Sequence, residues 1–208
     1  MDFKNRWFCA DKPNLISLEE LYRLDKTESN LWLASKKVDG YRALVDFSTD
    51  KGQAWSRRGK KEGGPSLHPI CSELEEALQQ FKIDNDIGFG TRFDCEWTGR
   101  REANKDQPER LFIFGIYFWK TVSFIHQPEQ TRWDYVSKLK YNGLIKLVDC
   151  VDHDYVKLYE ESKADMSYEG IVLKEKNSKL IADPLACKNN PLWLKCKWRA
   201  GDDGLSIK

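Results

Sequence analysis

Apolar and polar residues alternate along much of this chain in short runs bounded by Gly, Asp and Asn, with a few stretches of helical period between them. Successive side chains of a strand point to opposite faces, so runs of this kind that are rich in β-branched and aromatic residues predict strands. They cover Leu31 to Val38, Arg42 to Phe47, Gln53 to Arg57, Thr91 to Trp97, Leu111 to Trp119, Ile145 to Val151, Gly170 to Lys174 and Leu192 to Trp198. The second and third predict a hairpin around Ser48-Thr49-Asp50-Lys51-Gly52, with Tyr41, Ala43, Val45 and Phe47 on one face. From Pro69 to Phe81, Ile70, Leu74, Ala77, Leu78 and Phe81 recur at helical spacing, as do Trp133, Val136 and Leu139 further on. These two helices are expected to pack on the sheets. The class is α+β, with antiparallel sheets flanked by helices. No repeat and no Pro/Gly/Ser linker divides the chain, so one unit is expected over residues 1–200, with 201–208 left over.

Composition changes this picture little. With 208 residues and 40% hydrophobic content the chain can bury a sizeable core. Its formal net charge is +1, so attraction to nucleic acid must come from local basic patches. The six cysteines form no C-x-x-C pair and stand at no zinc interval from a histidine, which predicts reduced thiols in an intracellular protein. No apolar run is long enough for a membrane span, and no secretory signal follows Met1.

The sharpest chemical feature is Lys37-Val38-Asp39-Gly40-Tyr41-Arg42. Taken alone, the hexapeptide is equally an Asp-Gly turn with solvated Lys and Arg on either side. Other short elements follow it in order. Ser56-Arg57-Arg58-Gly59 comes first, then Asp94-Cys95-Glu96 within Phe93 to Trp97, Phe114-Gly115 within an apolar run, Glu169-Gly170-Ile171-Val172-Leu173-Lys174, and Trp193-Leu194-Lys195-Cys196-Lys197. A lone Glu among 33 acidic residues reads as surface acid, and Phe114 by itself reads as core.

In this order the segments resemble motifs I, III, IIIa, IV and V of the covalent nucleotidyltransferases, the ATP-dependent DNA and RNA ligases and mRNA capping enzymes, with an S-R-x-G element after motif I as in DNA ligases. Two positions depart from the pattern: Cys95 replaces the glycine of D-G-E, and Gly115 replaces the aspartate that normally follows the aromatic of motif IIIa. The resemblance implies an ATP-grasp-like ligase nucleotidyltransferase fold. It implies that Lys37 attacks the α-phosphate of ATP and becomes adenylated, that AMP passes to a 5′-phosphate end, and that a 3′-hydroxyl then displaces AMP. An unperturbed lysine titrates near ~10.4 and attacks only as the free amine, so Lys195, Lys197 and a divalent ion are expected to favour that amine if motif V lies beside motif I. The resemblance also makes Glu169 the stronger candidate ligand for Mg²⁺ or Mn²⁺, with Glu96 expected on the metal shell or the ribose. Phe114 is implied to stack on the base, and Arg42, Arg57 and Arg58 to bind phosphates or ribose, with Arg42 and Arg58 also toward the nucleic-acid phosphate. Lys174 is expected to face the nucleotide. Lys36 is a bystander whose backbone lines the base pocket. Ser35, also expected at the nucleotide, stands where many ligases carry a base-reading glutamate, a departure that bears on base choice and not on the chemistry.

Within the family, K-x-D-G-x-R, S-R-x-G and W-L-K-x-K favour a DNA ligase acting as a monomer on nicked duplex DNA. RNA ligase is the closer alternative, then a GMP-transferring capping enzyme, then a non-catalytic nucleic-acid-binding module of the same fold. DNA ligases and capping enzymes continue after motif V into an OB-fold domain, whereas Arg199 to Lys208 resembles only a linker and the start of one. The OB-fold is therefore not complete here, whether through truncation or as a natural minimal form, and slow self-adenylation is expected. His68, His126 and His153 read as structural or solvated. Asp149, Asp152 and Asp154 precede a helix-like segment and are expected to cap it.

Overall fold

The computed structural model describes residues 9–57, 64–99, 107–183 and 185–199. Arg58 and the segment after Arg199 lie outside the described residues. Two sheets carry the fold. The first has the order β1-β11-β10-β2-β9, from β1 (Lys12–Leu15), β11 (Asn189–Lys197), β10 (Tyr168–Glu175), β2 (Trp32–Val38) and β9 (Cys150–Val151). The second runs β4-β3-β5-β6-β7, from β4 (Gln53–Ser56), β3 (Tyr41–Asp46), β5 (Arg92–Trp97), β6 (Leu111–Trp119) and β7 (Val122–Ser123), with β8 (Ile145–Leu147) also paired to β6. Pairing is antiparallel apart from β1 with β11 and β6 with β8.

Each sheet buries one face under helices. Leu21 and Leu24 of α1 (Leu18–Thr27) and Leu158 of α4 (Tyr155–Ser162) pack on Ala34, Ile171 and Cys196. Leu74, Leu78 and Phe81 of α2 (Ser72–Asp84) and Val136 of α3 (Glu129–Val136) pack on Ala43, Val45, Phe93 and Ile113. No helix among the described residues is long and apolar enough to cross a membrane, and no disulfide joins the six cysteines.

Two expectations are corrected. Ile145 to Val151 is not one strand: β8 adds to one sheet and β9 to the other, because the backbone crosses between them, with Val148 N–H donating to Ile113 and Lys36 N–H to Asp149. The acids before α4 do not cap it. Asp154 sits at the cap position with φ 56° and makes no side-chain cap bond, while Asp25 of α1 accepts from the N–H groups of Tyr155 and Val156 at 2.7 and 3.3 Å. A carboxylate from a neighbouring helix thus meets the donors that a local cap would satisfy. The expected shared face of β3 runs from Tyr41, exposed at the strand start against Trp97, to buried Ala43, Val45 and Phe47. Both β1 and α1 are additional to the expected elements, although Ser17, whose Oγ accepts from Glu20 N–H, carries a readable N-cap signature in Ser-x-x-Glu.

Candidate active site

The alternation of β2, β10 and β11 sorts the motif residues by face. Ala34, Ile171, Leu173, Leu194 and Cys196 pack toward α1 and α4. The residues between them point the other way, and Ser35, Lys37, Val172, Lys174, Lys195 and Lys197 line a cavity of about 970 Å³. Across it, Ala43, Phe93 and Cys95 face α2 and α3, so Arg42, Glu96 and Phe114 close the opposite wall. Cys95 thus departs from the motif at a position directed into the core, where a side chain is accommodated with no exposed surface.

Two motif glycines are dictated by close approach. A Cβ on Gly40 would lie 2.5 Å from the Trp97 carbonyl oxygen and 2.8 Å from Glu96 Cγ. Gly170 has φ +147°, and a Cβ there would lie 2.0 Å from the Cys196 carbonyl oxygen. Beside it the pairing of β10 with β2 slips: Tyr168 opposes Val38 and Gly170 opposes Lys37, leaving Glu169 as the extra residue of a bulge. The bulge aims Glu169 at Lys37. Lys37 Nζ donates to Glu169 Oε1, and Lys197 Nζ lies 3.2 Å from Glu169 Oε2. Burial disfavours the charge on Glu169, but Lys37 and Lys197 outweigh it and hold the carboxyl below its ordinary range. Glu96 is shifted the other way. Burial pushes its carboxyl up with help from Glu169, against the pull of Lys37, Arg42 and Arg57.

A second bulge places Phe114. Cys95 opposes Ile113 and Asp94 opposes Gly115, so Phe114 is the extra residue of β6, and the core-facing positions switch from Leu111 and Ile113 to Ile116. Phe114 then faces the cavity between two cations, with the Arg42 guanidinium 4.6 Å and Lys174 Nζ 5.2 Å from its ring centre. Lys174 Nζ also stands 4.3 Å from the Trp193 ring centre and donates to Glu129 Oε1 at 2.9 Å and the Phe114 carbonyl at 3.3 Å.

Arg42 was expected among the phosphate ligands. Its Nε and Nη2 donate to the two oxygens of buried Asp94, each at 2.5 Å, and Tyr117 Oη donates to Asp94 at 2.9 Å. In this arrangement its fork is engaged by protein. Arg57 is exposed at the cavity rim. Lys36 also borders the cavity, but it alternates with Lys37 on β2 and its Nζ goes elsewhere, reaching Asp149 at 3.1 Å and standing 5.4 Å from the Tyr168 ring centre. The structure therefore separates the two adjacent lysines. Of the histidines, His126 and His153 are exposed, while His68 lines the cavity against Trp97, with ring centres 4.8 Å apart.

Sequence reasoning assigned no role to Asp39, Asp94, Tyr117, Glu129 or Arg199. Asp39, inside motif I, accepts from Arg199, which also donates to the Met166 carbonyl at 3.1 Å. Asp94 was readable as part of motif III. Glu129 opens α3 after Pro128 and follows no motif.

Among the described residues no group of three or more His, Cys, Asp or Glu side chains is arranged to hold a metal ion. Glu96 and Glu169 form a pair in one cavity. A magnesium ion needs only one or two carboxylates when water and phosphate oxygens complete its shell, so the pair fits such an ion.

No protein-family model and no curated protein matches this sequence. Solved structures do. The ligase domain of M. tuberculosis LigD is similar over 95% of this chain, with a TM-score of 0.63 and 15% identity. A mycobacterial DNA ligase D complexed with ATP and MES gives 0.61 and 14% over the same share. A Lig E DNA ligase gives 0.56 and 13% over 91% of the chain. The chain spans 61%, 62% and 68% of those three structures. At these identities the likeness is one of architecture, and the chain has the fold of these DNA ligase domains.

Proposed function

We propose that this chain is the nucleotidyltransferase domain of an ATP-dependent polynucleotide ligase, acting on nicked DNA, with Lys37 as the residue that becomes adenylated. The observation that carries this reading is the convergence of Lys37, Glu169 and Lys197 in a cavity whose other wall presents Phe114. Lys37 and Lys174 face the same cavity four residues apart along the ladder, roughly 13 Å, which suits phosphates at the Lys37 end and a base at the Phe114 end.

Lys37 releases one proton to solvent before its amine attacks the α-phosphorus, and a second leaves the nitrogen to solvent once it is bonded to phosphorus. The new N–P bond forms as the bond to the bridging oxygen breaks, and pyrophosphate leaves with the electron pair. Lys195 and Lys197 lie where they offset the charge on the five-coordinate phosphorus. Mg²⁺ or Mn²⁺ would be held by Glu169 and Glu96 and would supply charge neutralisation at the phosphate. AMP then passes to a 5′-phosphate, Lys37 departs, and a 3′-hydroxyl displaces AMP to seal the strand.

Incubation with α-labelled ATP or GTP and Mg²⁺, followed by denaturing electrophoresis, tests this reading. Label from ATP that disappears in Lys37→Ala supports it, label from GTP points to capping chemistry, and no label from either refutes it. Sealing assays on nicked DNA and RNA then separate the two ligase classes.

A further inference from the structure

The buried cation at the base end of the cavity is held by a residue far from every motif. Lys174 is 7% exposed, and Glu129 and Arg132 are 2% and 1% exposed. Glu129 stands between the two cations, accepting from Lys174 Nζ at one oxygen and from Arg132 Nη2 at the other. Arg132 Nη1 is anchored in turn on the Gln127 carbonyl at 2.5 Å. Burial disfavours the Glu129 charge, yet Lys174 and Arg132 outweigh it and keep the carboxyl below its ordinary range.

On the facing sheet, position 115 of β6 also comes close to Lys174, and there the chain has glycine. A Cβ at Gly115 would stand 4.0 Å from Lys174 Nζ and 3.4 Å from Asp94 Cβ, an ordinary contact, so a short acidic side chain there would reach the ammonium. With glycine at that place, the counter-charge comes from α3.

We propose that Glu129 is a positioning residue of the nucleotide site, holding the Lys174 ammonium at the base end beneath Phe114 and Trp193. This rests on the nucleotide-binding reading above. A lysine has three donors: one goes to Glu129 and one to the Phe114 carbonyl, and the cavity wall it helps to form is where the third is presented. Without Glu129 the buried ammonium loses its only carboxylate partner among the described residues, and Lys174 is no longer held against the two rings.

The test is ATP affinity, measured by calorimetric titration, alongside KM and kcat for lysine labelling. Glu129→Gln is expected to weaken ATP binding and raise KM about tenfold or more, the worth of one charge-assisted hydrogen bond, with kcat nearly unchanged. Adding Gly115→Asp to Glu129→Gln is expected to restore affinity, because the carboxylate returns from the other side of Lys174. Arg132→Gln, which removes only the far partner of Glu129, is expected to lower the melting temperature with little change in KM. Should Glu129→Gln fail to fold, Glu129→Asp, which withdraws the charge by one methylene, is expected to raise KM partway. Unchanged affinity in Glu129→Gln or Glu129→Asp, or equal effects from Arg132→Gln, overturns the proposal. Wild-type chain that binds ATP but takes no label refutes the catalytic reading and leaves the affinity test of Glu129 intact. Wild-type chain that does not bind ATP overturns both.

Discussion

Gly170 is the position where a single methyl group should do the most damage. Its φ of +147° lies in a region that only glycine enters freely, and holding another residue there costs about 1–3 kcal/mol. The added Cβ would also sit 2.0 Å from the Cys196 carbonyl oxygen and 2.8 Å from Lys197 Cα, both backbone atoms of β11. To reach ordinary contact, β11 must move by more than about 1 Å at this point. That opens the pairing of Gly170 with Lys197 and of Ile171 with Cys196, at about 1 kcal/mol for each of roughly two ladder bonds. The sum for Gly170→Ala is about 3–5 kcal/mol, which at about 2–4 °C per kcal/mol for a chain of this size lowers the melting temperature by roughly 6–20 °C. Because Lys197 moves with β11, its contact with Glu169 is lost and lysine labelling falls with it. Thermal unfolding by circular dichroism reads the first effect and electrophoresis the second. A variant that melts within about 2 °C of wild type would refute the reasoning, since the backbone would then have absorbed the methyl group at no cost.

Other outcomes follow from the same geometry. Lys37→Ala should abolish labelling while Lys36→Ala, at a residue whose Nζ goes to Asp149 instead, should retain most of it, and equal loss in both would contradict the assignment. Glu96→Gln should stabilise the chain near neutral pH while impairing labelling. The Glu96 carboxyl is raised by burial, so the stability of its neutral form is fully present below the unfolded value near ~4.3 and is lost as pH rises through the folded value. The advantage of the Gln variant in urea unfolding should therefore grow with pH across that window and then level off, and a constant difference would rule this out. Asp25→Ala should destabilise the chain by about 1 kcal/mol through loss of the cap on α4, whereas Asp154→Ala, whose side chain makes no cap bond, should be near neutral, as denaturant titration can establish.

The sequence by itself determined what alternation and close approach can encode. Period-two patterning in β2, β10 and β11 puts Lys37, Lys174, Lys195 and Lys197 on one face, so the motif residues were legible as a set before any coordinates. The glycines of K-x-D-G and E-G-I-V-L-K were legible too, and the fold explains them by two points where backbone meets backbone. Only the tertiary structure decided who partners whom. The bulges that aim Glu169 and Phe114 depend on pairing between strands more than 15 residues apart, and a one-residue slip leaves no trace in local periodicity. The turn of Arg42 toward Asp94, the capping of α4 by Asp25, and the reach of Glu129 to Lys174 all join groups at least 45 residues apart. A buried charge takes whichever opposite charge the packing brings near it, and packing is set by the whole chain.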